Sequence, residues 1–163
     1  MIFVTVGSQL PFDRLIRTVD AWAEGQQDME IVAQIGATDY RPSNMTFYER
    51  LNPKQFEQFF KAASCIVAHA GMGTIISSLE FGKPLLVMPR RADKGEHRND
   101  HQLMTVKQLH KYRNVNIAYS EEEFEGKLND TLKQLRHMEE FIEDIGVSKE
   151  LITKLKSFIA DDF

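Results

Sequence analysis

Apolar residues fall into five short runs, at positions 2–6, 30–35, 65–68, 85–88 and 115–119, and few polar residues interrupt them. A strand covered on one face alternates apolar and polar positions, so near-continuous apolar runs of this length predict strands buried on both faces. The stretches between them carry apolar residues at helical spacing. Leu15, Ile16, Val19 and Trp22 follow the first run, and Asn52 with Pro53 makes a cap and a first-turn proline ahead of Phe56, Phe59 and Phe60. A helix running to about Phe81 and closed by Gly82 follows the third run. Ser120 and Glu123 read as a capping box opening another helix, and Ser148 caps a last one carrying Leu151, Ile152, Leu155, Phe158 and Ile159. With a short strand near positions 45–48, the order is β-α-β-β-α-β-α-β-α-β-α-α. That order predicts an α/β fold, a doubly wound parallel sheet formed as one domain over residues 1–163.

Composition narrows the class. At 42% hydrophobic residues the chain can bury a core without covalent staples. Lys and Arg total 20 against 24 Asp and Glu, a net charge of −4, which gives no chain-wide signal for nucleic acid. The single cysteine, Cys65, lies in an apolar run, where it reads as a small buried hydrophobe and leaves no internal disulfide or cysteine-cluster metal site. The apolar start is too short to span a bilayer and has no basic leader, so a cytoplasmic location is expected.

In a doubly wound sheet, ligands bind at the carboxyl ends of the strands, so the loops after strands hold the chemistry. The first, Gly7-Ser8-Gln9-Leu10-Pro11, offers a glycine for close approach and side-chain donors for a sugar or phosphate oxygen. The second, His69-Ala70-Gly71-Met72-Gly73-Thr74, opens a helix, where unpaired N–H groups and the positive dipole end make a phosphate cradle without a lysine. Ile75, Ile76 and Leu79 share that helix's core face, and Thr74, Ser77 and Ser78 are expected on the ligand side. The third is the long charged loop from Pro89 to Gln102. Asn99 and Gln102, three apart, are expected to point both amides at one hydroxyl-rich ligand. His97 and His101 have a metal-capable spacing, but no third ligand is specified, so no metal is expected.

Together, residues 3–15, His69-Ala70-Gly71-Met72-Gly73-Thr74, Gly82-Lys83-Pro84 and Asn99-Asp100-His101-Gln102-Leu103 resemble the PssE-type bacterial polysaccharide glycosyltransferase subunits. They are also similar to the small catalytic subunit of the dolichol-linked UDP-GlcNAc transferase and to the MurG C-terminal domain, in glycosyltransferase family 28. The resemblance implies a Rossmann-like GT-B half that binds a UDP-sugar. It implies a separate membrane-anchored subunit that binds a lipid-linked sugar acceptor, and hence a position at the inner membrane face in polysaccharide biosynthesis. By position, Gly7, Ser8 and Gln9 match the loop facing the donor, and Gly71, Met72, Gly73 and Thr74 the turn that holds the diphosphate. Leu51 and Asn52 match the uracil-contacting loop, and Asn99 and Gln102 the donor-sugar contacts. Ser77 stands where MurG-like relatives carry a ribose-binding glutamate.

No Asp-x-Asp motif is present, so the leaving UDP is expected to be stabilised by helix-end amides and by cations among Arg90, Arg91, Lys94 and Arg98, without a metal cofactor. The inverting reaction implied by the family needs a general base, which lies either on the partner or at His69 or His97. Two rival readings keep the fold: a non-catalytic activating subunit of such a transferase, favoured by the missing glutamate and opposed by the intact His69–Thr74 turn and the Asn99 and Gln102 pair, and a UDP-sugar epimerase-like protein, which length disfavours.

Overall fold

The computed structural model describes residues 1–26, 28–110 and 112–136. Six parallel strands form one sheet in the order β3-β2-β1-β4-β5-β6: β1 (Ile2–Thr5), β2 (Ile31–Gln34), β3 (Thr46–Tyr48), β4 (Cys65–His69), β5 (Leu85–Met88) and β6 (Val115–Ile117). The helices are α1 (Asp13–Ala23), α2 (Pro53–Ala62), α3 (Met72–Glu80), α4 (His101–Leu109) and α5 (Glu121–Arg136), with a 3-10 turn over Ala92–Lys94. The expected terminal helix after Ser148, with its stripe from Leu151 to Ile159, lies outside the described residues.

The near-continuous apolar runs have the expected cause. Every residue of β1, β2 and β5 is buried, because successive side chains enter opposite cores. Ile2, Val4, Val67, Leu86 and Met88 meet Leu15, Ile16, Val19, Phe124 and Leu128 on one face. Phe3, Ile66, Leu85 and Val87 meet Phe60, Ile75, Leu79, Val106 and Leu109 on the other. Helices α1 and α5 thus cover one face, and α2, α3 and α4 the other. Cys65 is buried, and burial pushes its thiol up to about 12, so it behaves as a hydrophobe.

Local chemistry sets the ends of the helices. The Asn52 side chain accepts from the N–H of Gln55 at 2.9 Å and the Gln55 side chain accepts from the N–H of Asn52 at 3.1 Å, a full capping box at α2. Lys83 donates to the carbonyls of Lys61 and Ala63, placing a cation on the negative end of the same helix. The box expected at Ser120 is shifted: Glu123 accepts from the N–H of Tyr119, one residue upstream. The loop between β2 and β3 is drawn onto α1 by Asp20, which accepts from the Tyr40 hydroxyl at 2.6 Å and from the Ser43 and Asn44 N–H groups. Burial opposes the Asp20 charge, but those hydrogen bonds outweigh it and lower its pKa. Among the described residues no helix is long and apolar enough to cross a membrane.

Candidate functional site

The chain runs outward from β1 to β2 and β3, then returns to place β4 on the other side of β1. The loops after β1 and β4 therefore diverge, and a crevice opens between them at the carboxyl edge of the sheet. His69, the last residue of β4, stands in this crevice with Gly7 and Gly71 against its ring. A Cβ on Gly7 would lie 2.7 Å from His69 Cε1, and one on Gly71 would lie 2.6 Å from the same atom. Gly7 also has φ +78, in the left-handed region. Both glycines are thus demanded by the imidazole as well as by the loops. Among the described residues, His69 Nδ1 is buried and forms no well-aligned hydrogen bond. Burial, helped by the charge of Arg90 and opposed by the nearby Thr5 carbonyl, takes the His69 pKa down to about 4. The ring is neutral at pH 7.

Helix α3 begins beside that ring. Gly71 is its N-cap and contributes no side chain, and the first backbone bond into the helix runs from Ile75 N to Gly71 O at 3.1 Å. The N–H groups of Met72, Gly73 and Thr74 are left without an acceptor inside the helix. At the far end, Gly82 N and Lys83 N bond to Leu79 O and Ser78 O and close the helix. Ile75, Ile76 and Leu79 are buried as expected. Ser78 corrects the ligand-face assignment: it is fully buried and donates to Lys83 O at 2.7 Å. It lies three residues from Ile75 and so shares the inward face. Ser77 is partly exposed.

On the other side of Gly7 lies a cavity of about 210 Å³ lined by Gly7, Ser8, Gln9, Gln34, Arg50 and Leu51, among others. Gly7 borders both this cavity and His69, so the loop after β1, the α3 N-terminus and Leu51 form one continuous edge. Asn52 adjoins it, its side-chain oxygen committed to the α2 cap. The turn is fixed from beneath by a chain that the sequence did not reveal: Gly7 N donates to Thr5 Oγ1 at 3.1 Å, and Thr5 Oγ1 donates to Gln34 Oε1 at 3.0 Å. Both residues sit opposite each other in the β1–β2 register, a pairing that emerges only once the sheet is assembled.

The loop after β5 departs furthest from expectation. Asn99 is exposed and precedes α4, so the helical geometry that would align it with Gln102 does not apply. Its Oδ1 lies 3.1 Å from His97 Nδ1 and accepts from His101 N at 3.3 Å. Gln102 is buried, and its Oε1 accepts from the backbone of Arg90 at 3.0 Å. His97 likewise precedes the helix and is not in helical register with His101. Among the described residues no three His, Cys, Asp or Glu side chains gather to hold a metal ion.

The cations expected to face the diphosphate are mostly occupied. Arg91 pairs with Asp93 at 2.6 Å and Lys94 with Glu121 at 3.2 Å, while Arg98 is exposed. Arg90 is 2% exposed and donates to the carbonyls of Val6 (2.9 Å), Leu10 (2.7 Å), Pro11 (2.6 Å) and Glu96 (3.3 Å). Burial, opposed by the charge of Glu96, takes its pKa down to about 10, so it remains a cation. Arg14 donates from Nε and Nη2 to the Glu96 carboxylate at 2.6 and 2.8 Å and from Nη2 to Pro89 O at 2.9 Å. Burial disfavours the Arg14 charge, but Glu96 and Glu121 more than offset this and raise its pKa. Arg14 and Glu96 are 82 positions apart, and no local spacing signals their pairing.

Residues 1–159 match the Glycosyltransferase family 28 C-terminal domain. The UDP-N-acetylglucosamine transferase subunit ALG13 of Homo sapiens is 32% identical over 121 residues, covering 68% of this chain and 10% of that protein. This chain thus spans about a tenth of the length of that relative. Among solved structures, the glycosyltransferase of kitacinnamycin aligns with a TM-score of 0.56 at 16% identity, over 96% of this chain and 42% of that one. MurG of Acinetobacter baumannii aligns with a TM-score of 0.51 at 18% identity, over 95% of this chain and 44% of that one. The sheet and its flanking helices match one half of the GT-B architecture.

Proposed function

The chain belongs to the glycosyltransferase family 28 C-terminal-domain family, and from that premise we propose that it is the donor-binding part of a UDP-sugar-dependent transferase. The observation that carries this reading is the start of α3. Three N–H groups without an acceptor inside the helix and the positive end of a helix dipole meet at the topological switch point, beside the His69 ring and with no side-chain cap to compete. In this reading the diphosphate rests on Met72, Gly73 and Thr74, the uracil lies toward Leu51 and Asn52, and Ser8 and Gln9 face the sugar. Ser77 takes the ribose side, and Asn99 is proposed to read the sugar, with Gln102 offering only its amide nitrogen because its Oε1 is held by Arg90 N. The name of the human relative makes UDP-N-acetylglucosamine the first donor to test.

Catalysis in this reading is charge stabilisation: the α3 amides meet the negative charge that grows on UDP as the glycosidic bond breaks. An imidazole with a pKa near 4 is a poor proton acceptor at pH 7, so His69 is assigned to contacting a phosphate oxygen. The base that activates the acceptor hydroxyl is then His97 or a group on a second, membrane-anchored subunit holding a lipid-linked sugar. With residues 1–163 acting as one donor unit, the reaction is an inverting transfer in polysaccharide assembly. The test is calorimetric titration of the chain with UDP in the presence of EDTA. Saturable one-site binding is expected, and no binding at millimolar UDP, or binding only when a divalent cation is restored, overturns the metal-free donor site.

A further inference from the structure

Arg90 is a buried cation held by carbonyl oxygens, and among the described residues no carboxylate pairs with it. Taking a guanidinium out of water is costly, and neutral packing at the same place would avoid that cost. What a neutral side chain lacks is the fork: a rigid planar group whose donors fix several acceptors at once. Here the acceptors come from two separate segments, Val6, Leu10 and Pro11 after β1 and Glu96 after β5. A second guanidinium ties the loop after β5 to the helix that follows the turn. Arg14 at the start of α1 holds the Glu96 carboxylate and the Pro89 carbonyl, and Glu96 accepts from Arg91 N at 2.9 Å. Gln102 then anchors the backbone of Arg90 itself to α4.

We propose that Arg90 is a positioning residue for the donor site: its fork makes the turn of residues 7–11 and the loop after β5 a single body, already shaped before a nucleotide-sugar arrives. The inference rests on the donor-site reading above. Its consequence is that Gly7, Ser8 and Gln9 do not adjust independently of the segment carrying His97 and Asn99. Arg90 touches no ligand in this scheme; it acts through the carbonyls of the turn.

Amide hydrogen exchange on the full chain tests the coupling without a ligand. In the wild type, the amide of Gly7 on one segment and those of Arg91 and Glu96 on the other are expected to open with one common free energy, distinct from the amides of β1 and β4. Independent opening overturns the proposal, and this arm requires no variant to fold. Arg90→Lys keeps the charge and loses the fork. It is expected to lose protection at least tenfold in both segments together, with strand amides unchanged, and to bind UDP at least tenfold more weakly. Unchanged protection, or lost protection with wild-type UDP affinity, overturns the positioning role. In Arg90→Ala, ethylguanidinium should restore UDP affinity and ethylammonium should not; equal rescue by both assigns the residue to charge alone and overturns the fork. A wild-type chain that binds no UDP overturns the donor reading, while the exchange data still decide the coupling.

Discussion

Replacing Gly73 with aspartate separates folding from ligand binding because the two respond with opposite sign. Gly73 is exposed in the first turn of α3, and a Cβ built there meets nothing within 4 Å, so the backbone accepts the new side chain without rearrangement. A carboxylate at a helix N-terminus is favoured by the dipole, typically by about 0.3–1 kcal/mol, so thermal stability should hold or rise slightly. For a diphosphate on the same amides the effect reverses. Two unit charges 4 Å apart interact by about 4 kcal/mol at an effective dielectric constant near 20, and a carboxylate at this position comes within a few ångströms of the phosphates. Allowing for salt screening, about 2 kcal/mol or more of repulsion should remain, a loss of roughly thirtyfold in UDP affinity. Calorimetry with UDP, together with thermal melts, measures both quantities. Gly73→Ala should bind UDP nearly as the wild type does, and Gly73→Asn, with the same bulk and no charge, should fall between. A folded Gly73→Asp chain with wild-type UDP affinity would falsify the placement of the diphosphate on α3.

Three further expectations follow from the same geometry. His69 is depressed to about 4 in the folded chain, so between its ordinary value near 6.5 and pH 4 the unfolded chain binds a proton that the folded chain does not. Stability should fall as pH drops through that window, and urea titrations of His69→Asn should show a shallower acid slope; an unchanged slope refutes the buried neutral ring. Gly71→Ala should cost about 1–3 kcal/mol by forcing a methyl group into the His69 ring, and the cost should shrink in a His69→Ala background; additive effects in a double-mutant cycle would contradict the contact. Asn99→Ala should weaken UDP-N-acetylglucosamine binding by roughly 0.5–1.5 kcal/mol and leave UDP binding unchanged, and equal losses for both would remove Asn99 from sugar recognition.

The sequence alone determined the parallel sheet, most of its helices and the sheet edge that carries the candidate site. Those features depend on short-range signals: apolar runs at positions 2–6 and 65–68 read as strands covered twice, Asn52-Pro53 reads as a helix start, and glycine-rich segments after strands lie at the ligand edge by topology. The Gly71 and Gly73 turn was legible for the same reason, since a helix start exposes N–H groups whatever surrounds it. Tertiary structure decided everything that depends on distance along the chain. Ser78, three residues from Ile75, belongs to the inward face by spacing alone, and the assembled fold adds only its bond to Lys83 O. Arg90 reads as one cation in a charged loop, and it becomes a buried fork only because β5 ends beside the turn after β1. Asn99 and Gln102 are three apart in both descriptions, but α4 begins between them, so one faces water and the other the backbone. Periodicity records which residues share an element's face; which charged groups meet across loops is set by the assembled sheet, where burial makes each unpaired donor costly enough to select its acceptor.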